Sequence, residues 1–194
     1  LRCFDDENIT HVEGSINPIR DLEIIETELL LADLESLDKQ RINQEKKVRG
    51  NDKEAKLKLS LIEKIYPKIS DGLPARKIEN LNDQENLYLS ELNLITLKPM
   101  LYVCNLSEED IINGNQYSEQ VFQKAKSENS GYTIVSAQIE QELSLLNENE
   151  RNEFLDSIGM KEPTLNRLIR SGYNLLDLIS FFTVGPKEAH AWTA

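Results

Sequence analysis

The feature that most constrains the fold is an apolar run at residues 99–110 that ends abruptly in polar side chains. Five apolar residues follow Pro99, and the chain then turns to Asn105, Ser107 and three consecutive acidic residues. An uninterrupted apolar run of this length is typical of a strand buried in a parallel sheet. Because open α/β sheets bind ligands at the carboxyl ends of their strands, we expect ligand contacts where this run ends.

The composition indicates a soluble globular chain. Its 194 residues are 39% hydrophobic and 29% charged, enough for one sizeable core or one core with an appendage. No apolar stretch approaches the roughly 20 residues of a membrane span, and the N-terminus lacks the pattern of a signal peptide, so we expect a cytoplasmic protein without membrane contact. Cys3 and Cys104 are expected to be buried reduced thiols, and with only two histidines no metal cluster is visible.

Two long helices are predicted near the start of the chain. Residues 21–48 have helical periodicity without Pro or Gly, and Gly50 supplies a C-terminal stop. Asn51, followed three residues later by Glu54, predicts a capping box for a second helix that ends at Pro67. The apolar positions of that second helix have the 4-3-4 spacing of a narrow coiled-coil seam: Ala55, Leu59, Ile62 and Tyr66. Together the two segments predict an antiparallel helical hairpin.

The tip of this hairpin is basic, although the whole chain has a formal net charge of −12. Residues 46–58 hold six basic and two acidic side chains. A basic tip on an acidic protein is suited to phosphate contacts, for example with RNA, and the candidate residues are Lys46, Lys47, Arg49 and Lys53. The alternative is an ordinary solvated helix turn, since no aromatic residue is interleaved for base stacking.

The second half of the chain repeats the strand pattern. A helix predicted at 119–129 leads to a second short strand at 131–137, which also ends in small and polar residues. Strand, helix and strand in this order predict a parallel crossover unit whose two strand ends meet at one edge. Helices at 139–146, 148–157 and 163–178 follow, and the last has an apolar face that we expect to be core: Leu165, Leu168, Ile169, Tyr173 and Leu176. Two β segments around a turn are predicted at 179–193.

The residues at the two strand ends match a nucleotide-base site. Asn105 and Glu108 form Asn-x-x-acid after the first strand, and Ser136 and Ala137 follow the second. This pairing is the base-recognition pattern of P-loop nucleotide-binding domains. An Asn side chain can tie neighbouring loops together and contact a purine, and a Ser-Ala turn can present backbone N–H groups to the base.

The pattern departs from that of a guanine reader. Guanine-specific sites use Asn-Lys-x-Asp, whose Asp accepts hydrogen bonds from N1–H and the 2-amino group of guanine. Here Leu106 takes the place of the Lys and Glu108 that of the Asp. Adenine has no 2-amino group and an acceptor at N1, so it gains nothing from that Asp. We therefore expect a relaxed or ATP-preferring site.

Across nearly its whole length the chain closely resembles the Obg-like ATPase (YchF) family. The stretches that carry the resemblance are residues 1–4 with 11–14, 28–34, 53–55, 97–99, 105–108, 165–169, and 182–188 with 191–193. The resemblance implies a P-loop ATPase that uses Mg²⁺ to hydrolyse ATP (or GTP) and associates with the ribosome, through its large subunit or RNA, as a monomer. The residues that would contact the adenine are Asn105, Leu106, Ser107, Glu108, Ser136 and Ala137.

The resemblance also implies how the chain is divided. We expect an α/β fold with a partial P-loop (G-type) domain at 1–20 and 85–178, a helical coiled-coil insertion with its return linker at 21–84, and the start of a β-rich TGS domain at 179–194. None of the eight glycines belongs to Gly-x4-Gly-Lys-Ser/Thr, so this chain contains neither the phosphate loop nor a catalytic residue. It is therefore expected to be a central fragment that is inactive alone. The alternative function is a helical-hairpin module that binds RNA, ribosome or protein without nucleotide chemistry.

Overall fold

The structure is a computed structural model, and it describes residues 1–5 and 15–194. The stretch at 11–14 that contributed to the family resemblance lies outside the described residues. The chain divides into two compact units, which we call the sheet unit (Leu1–Asp21 with Met100–Ala194) and the helical unit (Leu22–Pro99). None of the helices in the described residues is both long and apolar enough to span a membrane.

Helices dominate the described residues, and the mixed α/β class expected from the sequence is confirmed. The helices are α1 (Pro18–Arg49), α2 (Lys53–Ser70), α3 (Asp83–Glu91), α4 (Gln116–Glu128), α5 (Ala137–Leu145), α6 (Glu148–Ser157) and α7 (Thr164–Leu175). The strands are β1 (Leu101–Asn105), β2 (Gly131–Val135), β3 (Ser180–Val184) and β4 (Ala189–Thr193). Two short 3₁₀ turns, Ala75–Lys77 and Ile95–Leu97, lie in the helical unit.

The start of α2 differs from the predicted capping box. Asp52, not Asn51, is the N-cap, and its Oδ1 accepts hydrogen bonds from the N–H groups of Glu54 (2.9 Å) and Ala55 (3.1 Å). Asn51 instead adopts a φ of 65°, in the left-handed region, where it reverses the chain after α1. Asn tolerates this conformation better than most residues. The turn therefore uses Asn51 for its backbone and Asp52 for its carboxylate.

The predicted end of α2 at Pro67 is also wrong. The helix continues through Pro67 to Ser70, which places Ile69 in the core with only 1% of its surface exposed. A proline inside a helix costs about 3 kcal/mol. Complete burial of an isoleucine side chain contributes about 1.5–3 kcal/mol, so the core contact offsets most of that cost.

The core of the helical unit is broader than a coiled-coil seam. Leu59 and Tyr66, which the 4-3-4 spacing assigned to the seam, are only partly buried. The buried face of α2 packs with one residue of α1 and with several that come later in the chain, and the shared core consists of Leu37, Leu61, Ile62, Ile65, Ile69, Ala75, Tyr88, Leu89, Leu92 and Leu94. Because α3 contributes to this core, the helical unit extends to Pro99, beyond the boundary at 84 that we expected.

A buried carboxylate connects α1 to the end of the helical unit. Asp33 is 1% exposed and accepts hydrogen bonds from the N–H of Ile95 (2.7 Å), the N–H of Thr96 (2.9 Å) and the hydroxyl of Thr96 (2.6 Å). The Thr96 hydroxyl oxygen in turn accepts from the N–H of Ala75 (2.9 Å). A buried carboxylate is tolerated when hydrogen-bond donors satisfy it, and three donors do so here.

The sheet unit is built on a parallel strand pair. β1 and β2 pair in parallel register from Leu101 with Gly131 to Asn105 with Val135, which confirms the predicted strands and their common edge. Arg2 bridges to Asn105 in the same direction. Cys3 and Cys104 are fully buried and free, as the sequence analysis predicted. A hydrogen bond with Cys104, together with burial, raises the pKa of Cys3 far above its usual range.

The predicted core face of α7 is only partly correct. Leu168 and Tyr173 are half-buried, but Leu165, Ile169 and Leu176 are about half exposed. The helix packs against both strands of the pair, and at the start of β2 a Cβ at Gly131 would lie 3.3 Å from Leu175 Cδ1. A two-stranded sheet presents too little surface to cover the whole apolar face of a helix.

The last described segment is an antiparallel hairpin. β3 pairs with β4 from Ser180 with Thr193 to Val184 with Ala189, which confirms the two predicted β segments. Their side chains are exposed along the whole hairpin.

We predict that Asp33→Ala destabilises the helical unit by about 3 kcal/mol, because the substitution leaves three donors without their acceptor. Urea denaturation of the 194-residue chain, followed by far-UV circular dichroism, measures this loss. Glu35→Ala is the matched control, since Glu35 lies on the same helix, is exposed and bonds Lys39. Its effect should stay within about 0.5 kcal/mol. Equal stability of the two variants would contradict the role given to Asp33.

Candidate nucleotide-base site

The two strand ends singled out by the sequence are joined by a side chain. Asn105 is the last residue of β1, and its Oδ1 accepts a hydrogen bond of 2.9 Å from the backbone N–H of Ala137. One residue further on, the N–H of Leu106 donates to the carbonyl of Val135 (2.9 Å). The loop after β1 and the turn after β2 are thereby tied together at the carboxyl edge of the sheet, the place where open α/β sheets bind ligands.

The six candidate residues differ in how they lie at this edge. Asn105, Ser107 and Glu108 are half-buried and Ala137 is exposed. Leu106, by contrast, is 2% exposed, and its side chain belongs to the core. Ser136 is fully buried, and its hydroxyl oxygen accepts from the N–H of Ile139 (3.5 Å) as the N-cap of α5. The edge therefore offers the Asn105 amide and the Ala137 backbone, whereas the side chains of Leu106 and Ser136 point to the interior.

The expectation that the Ser-Ala turn presents free backbone N–H groups needs a correction. The N–H of Ala137 is taken by Asn105 Oδ1, and the N–H of Ser136 donates to Thr164 Oγ1 at 3.4 Å. Both donors are thus engaged within the protein. What remains at the turn is an amide group on Asn105 whose orientation is set by Ala137, because only the oxygen of that amide can accept from an N–H.

The loop that contains Glu108 is held by two residues that sequence reasoning missed. Asp110 Oδ2 accepts from the hydroxyl of Ser107 (3.2 Å) and from Nδ2 of Asn115 (2.7 Å). Asn115 Nδ2 also donates to the carbonyl of Cys3 (2.7 Å). Asn115 is the N-cap of α4, and its position just before a helix start was the signal that could have identified it.

A second supporting pair comes from helices α5 and α7. Glu140 Oε1 accepts from the hydroxyl of Thr164 (2.6 Å) and from the N–H of Leu165 (3.0 Å), so the carboxylate caps the N-terminus of α7 from outside that helix. Thr164 is fully buried. The two side chains are 24 positions apart, and no sequence pattern relates them, because the contact exists only once α5 packs beside α7.

The basic candidates of the helical unit are open to solvent. Lys46, Lys47, Arg49 and Lys53 are exposed, and none has an ion pair among the described residues. Lys58, which also belongs to the basic stretch, is engaged by Glu54 and Glu91 at 2.7 Å each. The hydrogen bond with Glu54, followed by that with Glu91, raises the pKa of Lys58. The charge available for a partner is therefore concentrated in the turn between α1 and α2.

The described residues contain no group of three or more His, Cys, Asp or Glu side chains that could hold a metal ion. The Mg²⁺ implied by the family resemblance thus has no ligand set of this kind in the part of the chain that the structure describes. The candidate site lies at the carboxyl edge of a parallel strand pair, and the Asn105 amide is its principal polar group.

Comparison with known proteins identifies relatives along the whole chain. The chain is 41% identical over 193 residues to the ribosome-binding ATPase YchF of Escherichia coli O157:H7 and 37% identical over 195 residues to that of Bacillus subtilis strain 168. Each alignment covers 100% of this chain and 53% of the relative. The solved structure of the Schizosaccharomyces pombe YchF GTPase matches with a TM-score of 0.81 and 33% identity, over 100% of this chain and 53% of that one. No protein-family model matches the chain.

The resemblance to the YchF family, predicted from the sequence, is therefore confirmed over the whole chain. The chain spans about half the length of the curated relatives it matches. The names of these relatives include both an ATPase and a GTPase.

Proposed function

We propose that this chain is the central part of a ribosome-associated P-loop ATPase that acts in translation or stress regulation in the cytoplasm. The observation that carries the proposal is the hydrogen bond between Asn105 Oδ1 and the N–H of Ala137, which joins the two halves of a base-edge site. The ribosome-binding ATPases to which the chain is similar support the activity and the partner. In the intact protein the nucleotide is bound and hydrolysed with Mg²⁺.

The preference for ATP over GTP rests on the polar groups at the edge. Asn105 Oδ1 has one lone pair committed to Ala137 and a second one free, and Nδ2 has no hydrogen bond among the described residues. This pair of groups matches the N6 amino group and the N7 acceptor of adenine, which is the edge that Asn reads in nucleic acids. Glu108, half-buried beside the edge, stands where a guanine reader has Asp.

Phosphate binding and hydrolysis are assigned to parts of the protein other than this chain. The 194 residues contain no Gly-x4-Gly-Lys-Ser/Thr loop, and we propose that the chain alone is inactive. The sequence then assigns residues 1–20 and 85–178 to the G-type domain, 21–84 to a coiled-coil insertion and 179–194 to the start of a TGS domain, and the compact unit that holds the insertion continues to Pro99. The exposed β3–β4 hairpin supports the last assignment, since a lone two-stranded hairpin is marginal by itself.

The helical insertion supplies the proposed contact with the ribosome, through the large subunit or its RNA. Contacts between α1 and α2 support the antiparallel hairpin: the Tyr66 hydroxyl donates to Asp38 Oδ2 (3.2 Å), and Arg41 lies over the Tyr66 ring. The unpaired residues at its tip are the proposed RNA contacts. The same exposed charges also favour the alternative function, a hairpin module without nucleotide chemistry. The effect of Asn105→Ala on ATP binding distinguishes the two functions.

Asn105→Ala is expected to weaken ATP binding to the full-length protein about tenfold or more, because two base contacts and the tie to Ala137 are lost together. Fluorescence titration with a labelled ATP analogue measures the change. Asn113→Ala is the matched control: Asn113 lies in the loop after β1 and is exposed. Unchanged affinity in Asn105→Ala would favour the alternative function.

ATP is expected to compete with the labelled nucleotide more strongly than GTP in the full-length protein. The reason is that the Ser136–Ala137 turn offers no free backbone N–H for the O6 of guanine, and that the longer Glu108 replaces the Asp with which guanine readers bind N1–H and the 2-amino group. Competition titrations with the two triphosphates at equal Mg²⁺ measure the ratio. A clear preference for GTP would refute the proposed nucleotide.

Charge reversal of the tip, Lys46→Glu with Lys47→Glu and Arg49→Glu, should weaken ribosome association and flatten its dependence on salt, because fewer phosphate contacts release fewer counterions. Cosedimentation with ribosomes over a range of salt concentrations provides the measurement. The control reverses three exposed lysines elsewhere: Lys126, Lys161 and Lys187. If the tip variant binds as well as the control at low salt, the tip is an ordinary solvated helix turn.

A further inference from the structure

The base edge is supported by a continuous series of hydrogen bonds that begins on α5. Glu140 Oε1 accepts from the Thr164 hydroxyl, Thr164 Oγ1 accepts from the Ser136 N–H, and the next N–H, that of Ala137, donates to Asn105 Oδ1. The distances along the series are 2.6, 3.4 and 2.9 Å. No residue of this series other than Asn105 and Ala137 lies at the edge itself.

The direction of each bond in the series is determined. A threonine hydroxyl has a single hydrogen, and Thr164 gives it to the carboxylate of Glu140, which can only accept. The lone pairs of Thr164 Oγ1 are therefore left to accept from Ser136. Because Glu140 also accepts from the N–H of Leu165, the carboxylate has a fixed place over the start of α7. The Ser136–Ala137 turn is thus held from behind by two side chains.

The orientation of this turn decides what Asn105 shows to a purine. With the Ala137 N–H aimed at Oδ1, the amide presents a remaining lone pair of Oδ1 and its Nδ2 donors to the base. That combination accepts from a 6-amino group. If the turn moves, the Asn105 amide is released and can rotate to place Nδ2 against the 6-position, where it donates to a 6-oxo group instead.

We propose that Glu140 and Thr164 are positioning residues that set the selectivity of this site for a 6-amino over a 6-oxo purine. The inference rests on the proposed base site and adds to it the source of its discrimination. Neither residue needs to touch the nucleotide. They act through the Ser136–Ala137 turn on the Asn105 amide.

The test compares ATP with inosine triphosphate, which carries a 6-oxo group and the accompanying N1–H but no 2-amino group, so that the change from 6-amino to 6-oxo purine is probed without a contribution from the 2-position. The measured quantity is the dissociation constant of inosine triphosphate divided by that of ATP, both for the full-length protein. Thr164→Val, which keeps the shape and removes the hydroxyl, should reduce the preference for ATP about fivefold, in the range of one lost hydrogen bond. Glu140→Met should also reduce the preference for ATP. It provides a second measurement in case Thr164→Val, at a buried position, folds poorly.

Conservative variants and a control complete the design. Thr164→Ser keeps the hydroxyl and Glu140→Gln keeps an accepting oxygen, so both should retain the wild-type ratio. Glu142→Met is the matched control, because Glu142 lies on the same helix and bonds the side chain of Gln138; its ratio should also be unchanged.

The possible results are distinct. A reduced ratio in Thr164→Val and Glu140→Met alone supports the inference. Equal weakening of ATP and inosine triphosphate would show a scaffold role without selectivity and overturn it, and so would an unchanged ratio. If Asn105→Ala leaves the affinity for ATP unchanged, the proposed function itself is overturned. That result is distinct from each of the results above.

Discussion

The hydrogen bond from the Ala137 N–H to Asn105 Oδ1 is the interaction on which the candidate site depends. It joins two loops that lie 32 positions apart in the chain, and it forms because β1 and β2 pair in parallel with Asn105 beside Val135. Parallel pairing requires a crossover connection, here α4, and it brings both carboxyl ends to one edge. Parallel pairing brings the two loops to the same edge, and the hydrogen bond then fixes the position of one loop relative to the other.

The rest of the sheet unit holds that surface in place from two sides. Asn115 and Asp110 fix the loop that follows β1, and Glu140 with Thr164 fixes the turn that follows β2. Each supporting bond has a carboxylate or a buried group as a partner, the kind of hydrogen bond whose loss is costly, and the bonds to the carboxylates of Asp110 and Glu140 are short, at 2.7 and 2.6 Å. A base edge built in this way presents few groups, but it presents them in one orientation.

The helical unit follows a different principle, because a shared apolar core decides its boundaries. Ile69 belongs to that core, which explains why α2 tolerates Pro67, and Tyr88 and Leu89 belong to it, which explains why α3 is part of the unit. Asp33 adds a buried polar connection to the same unit. The turn between α1 and α2 lies outside the core, so its exposed charges are free to meet a partner.

The sequence by itself determined the strands, most helices and the location of the candidate site. Apolar periodicity and the abrupt polar ends of two strands are local signals, so Asn105 and Ala137 could be identified without the structure. The tertiary structure decided the burial of Leu106, the exposed half of the α7 face, the capping of α2 by Asp52, and the engagement of both N–H groups at the Ser136–Ala137 turn. Most of these outcomes depend on partners distant in the chain, such as Glu140 and Thr164, whose contact is created by packing and leaves no periodic trace in the sequence.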